Sequence, residues 1–124
     1  MKTVQTEDLL MQIKDPFEFT QIIHGTYRQP LDLILQNGLN KMSRNHMHLA
    51  IGLPGKKEVI SGMRSSCEIV IEINMVKAML GEHKMPFYIS ENNVVLCEGL
   101  PGTGSLPPEY FRSVMDYKAS KYLR

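Results

Sequence analysis

The sequence predicts an α+β domain, and three observations carry that reading. "CEIVIEIN" (67–74) alternates strictly, with Cys67, Ile69, Ile71 and Ile73 on one side and Glu68, Val70 and Glu72 on the other, as a half-buried strand does. Two short apolar-striped segments, "LDLILQN" and "MVKAML", each run into a glycine, as short helices do. No internal repeat or linker separates these elements, and 124 residues suffice for one core but not for two.

The elements follow in order. "TEDLLMQIK" (6–14) has Thr6 as an N-cap, Glu7 and Asp8 in a first turn and Leu9, Leu10 and Ile13 as a stripe, which predicts a helix ended before Asp15-Pro16. "TQIIHGTY" (20–27) is β-branched and apolar up to Gly25, a strand ending in an accessible turn. Pro30 opens a helix in which Leu31, Ile34 and Leu35 share a face, and Asn37-Gly38 stops it. "HMHLAIGL" (46–53) is extended, and Ser61-Gly62 marks a turn. After "CEIVIEIN", "MVKAML" makes a helix stopped at Gly81. "PFYIS" and "VVLCEG" are strands around the turn "ENN", and "GLPGTGSLPP" is a loop. From Pro108 onward Phe111, Val114, Met115 and Tyr122 recur at helical spacing, which predicts a C-terminal helix. The expected total is about five strands and four short helices.

Composition narrows the function classes. Fourteen Lys and Arg against 13 Asp and Glu leave no global field for a polyanion, so any such ligand needs a local basic patch. Cys67 and Cys97 lie in apolar runs without CxxC spacing, as buried reduced thiols of an intracellular protein. No run is long and apolar enough for a membrane span, and no signal-peptide core opens the chain.

The residues that carry chemistry are few. His46 and His48 sit at alternate positions, the spacing of a strand-borne zinc pair, yet no carboxylate or Cys joins them and His24. An ordinary hydrogen-bonded pair fits that spacing better. His24-Gly25-Thr26 offers a close backbone approach beside a donor/acceptor pair, or equally a plain strand-to-loop junction. Arg64, just after Ser61-Gly62, suits an anion pocket because guanidinium matches phosphate bidentately; a solvated arginine is the other reading. A Walker loop, a dinucleotide fingerprint and a spaced acidic pair are all missing, and the strands lack the stacking aromatics of an RNA-recognition sheet.

Read in order, "HGTY" (24–27), "ILQNGLNKM" (34–42), "RNHMHLA" (44–50), "VISGMRSSCEI" (59–69), "FYISENNVVLCEG" (87–99) and "GSLPPEYF" (104–111) resemble the RNA 2′-phosphotransferase family, which acts chiefly on tRNA. Six motifs in register cover nearly the whole chain. The resemblance implies an ADP-ribosyltransferase-like split sheet cradling NAD as co-substrate, with no metal. His24 would reach a ribose hydroxyl and Gly25 would pair with the nicotinamide amide, with Thr26 beside them. Gly38 and Leu39, then Arg44, His46, His48 and Ser61, would complete the cofactor cleft. Arg64 matches a phosphate-binding arginine, the expected catalytic residue.

The implied reaction has two steps. An RNA 2′-phosphate left at a splice junction attacks NAD and expels nicotinamide. A ribose hydroxyl then takes that phosphate, giving 2′-OH RNA and ADP-ribose 1″,2″-cyclic phosphate. In "NNVVL", Val94 or Val95 stands where related transferases carry a catalytic Glu, and a nucleophile that is already a phosphate needs no such base. The family's N-terminal winged-helix lobe, with its "LRH" and "QGHS" segments, is not matched, so residues 1–124 are expected to be the NAD-binding lobe alone, with weak or no activity by itself. Two further readings are ADP-ribosylation of nucleic-acid phosphates and an inactive NAD- or ADP-ribose-binding module. The expected partners are 2′-phosphorylated tRNA and a separate N-terminal lobe. The expected setting is a monomer in the cytoplasm or nucleus, with no membrane contact.

Overall fold

The computed structural model describes residues 10–19, 21–41, 46–52, 67–91, 93–100, 102–116 and 121–123. Eight strands form one antiparallel sheet in the order β1-β6-β7-β4-β2-β5-β9-β10. They are β1 (Met11–Ile13), β2 (Ile22–Thr26), β4 (Met47–Ile51), β5 (Ile69–Ile73), β6 (Phe87–Ile89), β7 (Val94–Cys97), β9 (Phe111–Asp116) and β10 (Lys121–Tyr122). A second, two-stranded sheet pairs β3 (Leu39–Asn40) with β8 (Ser105–Leu106). Two helices, α1 (Leu31–Asn37) and α2 (Met75–Leu80), and a 3-10 turn at Pro108–Tyr110 complete an α+β arrangement. No helix among the described residues is long and apolar enough to cross a membrane.

Alternation along the strands builds the core. Ile22, Leu49, Ile69, Ile71, Phe87, Val95 and Val114 converge on one face, where Leu31, Ile34 and Leu35 of α1 and Met75 and Ala78 of α2 pack against them. The opposite face carries a smaller cluster of Ile23, Ala50 and Val70, with Met115 against it. Cys67 and Cys97 are buried free thiols, as their apolar surroundings predict.

Both internal helices begin and end where expected. Pro30 precedes α1, and Gly38 ends it at φ +87°. A Cβ on Gly38 would stand 2.2 Å from the Leu106 carbonyl oxygen, so this glycine allows β8 to pass close behind the helix. In α2 the Asn74 side chain accepts the Lys77 N–H at 3.1 Å, a cap that supplies one of the first-turn donors with a partner. The β6–β7 turn closes through Ser90, whose N–H donates to the Val94 oxygen and whose hydroxyl accepts the Val94 N–H, with Asn93 at φ +63°.

Two expected helices are strands, which moves the balance toward β. Met11–Ile13, placed in the N-terminal helix by its stripe, instead pairs with β6 (Ile13↔Phe87); residues 1–9 lie outside the described residues. Only Ile13 of the three is buried, so an open sheet edge outweighs a one-sided stripe. The Asp15 carboxylate then accepts the Phe17 N–H at 2.8 Å and holds the following turn. The predicted C-terminal helix is β9 and β10. β9 pairs with β5 as Ile71↔Val114, Glu72↔Ser113 and then Ile73↔Phe111, so Arg112 is an extra residue at a bulge. The bulge turns Phe111 and Val114, three apart, to the same core face, which imitates helical spacing.

Candidate functional site

The sheet parts between two of its central strands. β2 and β4 pair through Ile22↔Ile51 and Ile23↔Ala50. Beyond that point His24, Gly25 and Thr26 pair with β5, at Ile71, Val70 and Ile69, while Met47, His48 and Leu49 pair with β7. The described residues thus leave two facing strand edges, with the His24-Gly25-Thr26 motif on one and His48 on the other.

One side chain bridges them. His24 Nδ1 lies 3.3 Å from the His48 carbonyl oxygen. With its proton on Nδ1 the ring donates there and leaves Nε2 as an acceptor. Burial lowers the His24 pKa and the bond to His48 opposes that in part, so the ring is neutral at pH 7.

Thr26 and His46 are polar side chains held out of water, 7% and 8% exposed. Neither the Thr26 hydroxyl nor the His46 ring forms a hydrogen bond within the described residues, and buried polar groups left this way are rare. His46, one residue before β4, stands edge-on to Tyr88 with centroids 6.4 Å apart. The exposed His48 shares a cross-strand row with Leu96 and Tyr88. The two histidines thus differ: one is buried against an aromatic ring and the other is at the surface. No group of His, Cys, Asp or Glu among the described residues is arranged to hold a metal.

The remaining predicted residues fall into two sets. Gly38 and Leu39 lie at the α1–β3 junction, where the Leu39 side chain belongs to the core and pairs with Leu106. Arg44, Ser61 and Arg64 lie outside the described residues. On β7, Val95 is fully buried in the core, while Val94 pairs with Ala50 on the opposite face.

Sequence reasoning missed Tyr88 and an ionic cluster at the end of β2. There the Arg28 guanidinium pairs with the buried Asp116 carboxylate and, at 3.7 Å, with Glu68. These partners are 88 and 40 residues away, and no local pattern announces them.

Comparison with known proteins agrees with the family resemblance. Residues 1–99 match the RNA 2′-phosphotransferase, Tpt1 / KptA family. Over 100 residues the chain is 42% identical to tRNA 2′-phosphotransferase 1 of Bos taurus, a match covering 81% of this chain and 38% of that protein. It is 45% identical over 91 residues to tRNA 2′-phosphotransferase 1 of Danio rerio (73% of this chain, 39% of that protein). With the tRNA 2′-phosphotransferase of Saccharomyces cerevisiae it shares 36% over 104 residues (82% and 45%). The chain therefore spans less than half the length of these relatives. On the family match and these identities, the chain belongs to the RNA 2′-phosphotransferase, Tpt1 / KptA family.

Proposed function

We propose that the chain is the NAD-holding lobe of an enzyme that removes the 2′-phosphate from ligated tRNA, with an ADP-ribosyltransferase-like split sheet as its frame. The observation that carries this is the parting of β2 from β4 beside buried polar groups that form no hydrogen bond among the described residues. An elongated ligand rich in hydroxyl and amide groups suits such a cleft. His24 offers an Nε2 acceptor to a ribose hydroxyl. Gly25, without a side chain, lets an amide approach the strand edge. Thr26 adds a hydroxyl in a dry setting, where a hydrogen bond is worth more than in water.

NAD, when bound, supplies the ADP-ribosyl group that accepts the phosphate. The protein's part is to hold that group, exclude water and neutralise phosphate charge. In this reading Arg64 binds the phosphate, and Arg44, His46, His48, Ser61, Gly38 and Leu39 line or shape the cleft. Guanidinium suits that role because charge gathers on the phosphate oxygens as the transfer proceeds. The apolar Val94 and Val95 fit a reaction whose nucleophile is already anionic. The partners in this proposal are 2′-phosphorylated tRNA and an N-terminal lobe, and the setting is intracellular.

The test is incubation of the 124-residue chain with NAD and an RNA bearing one internal 2′-phosphate, followed by chromatography of both products. Release of 2′-OH RNA and ADP-ribose cyclic phosphate is the expected outcome once the remaining family lobe is supplied. ADP-ribose left attached to the RNA phosphate would replace this activity with transferase chemistry. Absence of NAD binding would overturn the reading.

A further inference from the structure

We propose that Arg28 is a positioning residue of the cleft, which together with Glu68 and Asp116 fixes Thr26 where its hydroxyl can meet the ligand. The inference rests on the NAD reading above and adds residues that reading does not assign. Thr26, Ile69 and Asp116 form one row across β2, β5 and β9. Arg28, two residues past Thr26, sends its guanidinium across β5 to the Asp116 carboxylate, a span of two strand spacings or about 10 Å. On the way it meets Glu68, whose Oε1 accepts the Arg28 N–H at 3.2 Å and whose Oε2 lies 3.7 Å from Arg28 Nε. The Glu68 N–H donates in turn to the Thr26 carbonyl oxygen at 3.0 Å. The end of β2 is thus tied to two other strands through its backbone and one side chain, while the Thr26 hydroxyl makes no hydrogen bond among the described residues.

Stability alone does not account for this arrangement. The Asp116 carboxylate is buried but the Arg28 side chain is 52% exposed, and an ion pair open to water on one side adds little stability. What the pair supplies is a directional, three-strand fix on one short segment. With two carboxylates already on it, the Arg28 guanidinium is no anion site itself. Its single positive charge instead offsets one of the two negative charges beside a cleft meant for an anionic ligand.

NAD titration by NMR and thermal unfolding would be run on the 124-residue chain and on Arg28→Lys, Arg28→Met and the double variant Arg28→Met/Asp116→Leu. The double variant also removes the Asp116 carboxylate that loses its guanidinium, so it decides the matter where Arg28→Met fails to fold. Expected is NAD binding weakened about tenfold in the folded Met variants, the scale of one lost hydrogen bond and its alignment. Arg28→Lys, which keeps the charge but reaches one carboxylate at a time, should fall between. A folded Met variant that binds NAD like the unsubstituted chain, even with a lower Tm, overturns the proposal and leaves the NAD reading standing. An unsubstituted chain that does not bind NAD brings down both.

Discussion

The His24 imidazole spans the parting of the sheet and meets the main-chain carbonyl of His48 at 3.3 Å, joining the two edges that pair with other strands. This contact asks only for a proton on Nδ1 and by itself favours the charged ring; burial outweighs it and keeps Nε2 unprotonated.

A pH dependence of stability follows from that relationship. His24 has a lower pKa folded than unfolded, so the unfolded chain takes up the extra proton first. Its contribution is complete above the unfolded value of about 6.5 and is lost as pH falls through the folded pKa. The Tm should therefore fall below about pH 6.5, and His24→Gln should flatten that part of the profile. An NMR titration in which His24 has an ordinary pKa would sink the argument.

Thr26→Val separates stability from binding. The buried hydroxyl has no partner among the described residues, so an isosteric methyl should be neutral or raise stability by about 1 kcal/mol. The same change should weaken NAD binding about fivefold. Chemical denaturation and an NAD titration on one preparation would check both, and a clear loss of stability would mean that the hydroxyl is satisfied within the protein.

Gly38→Ala should destabilise by about 2–4 kcal/mol. The residue sits at φ +87°, and its new Cβ would meet the Leu106 carbonyl oxygen at 2.2 Å, a backbone atom that cannot rotate aside. Urea unfolding at pH 7 is the measurement, and a midpoint unchanged from the parent would refute the close passage of β8.

Cys97 should be inert until the chain unfolds. Burial pushes its thiol up to about 11, against a reference near 9.0, with the Glu98 charge adding and the Gly99 N–H opposing. Iodoacetamide at pH 8 should label it only in denaturant. The unfolded thiol ionises first as pH rises, so the buried group's contribution is present below about 9 and lost toward 11. Cys97→Ala should lessen that alkaline loss of Tm, and rapid labelling of the native chain would contradict the burial.

Strands rich in β-branched residues were legible from sequence, although β2 and β5 bury neighbouring positions rather than every second one, and so were helices with a chemical stop. β5 and β2 are of the first kind; α1 with Gly38 and α2 with Gly81 are of the second. His24-Gly25-Thr26 read as a strand ending in a turn at the glycine, whereas β2 runs on through Thr26 because β5 pairs with it there. β9 was not legible, since the bulge at Arg112 gives its core residues a helix-like interval. β1 was not, since its strand character comes from an edge contributed by residues 87–89. The Arg28 cluster is a purely tertiary event between charges far apart in the chain.

The strand order has a consequence for how the molecule is made. Each cleft edge is closed on its outer side by a strand synthesised later: β2 by β5 and β4 by β7. The β6–β7 hairpin is local, but these pairings cross long stretches of chain, and non-local pairing is slow to form. Far-ultraviolet signal should therefore recover before NAD binding in a stopped-flow refolding experiment, and simultaneous recovery would argue against it. A ribosome-bound chain that has not yet released residues 94–97 lacks the strand that backs one edge of the parted sheet, so under the proposed function ligand capture is a late act of biosynthesis.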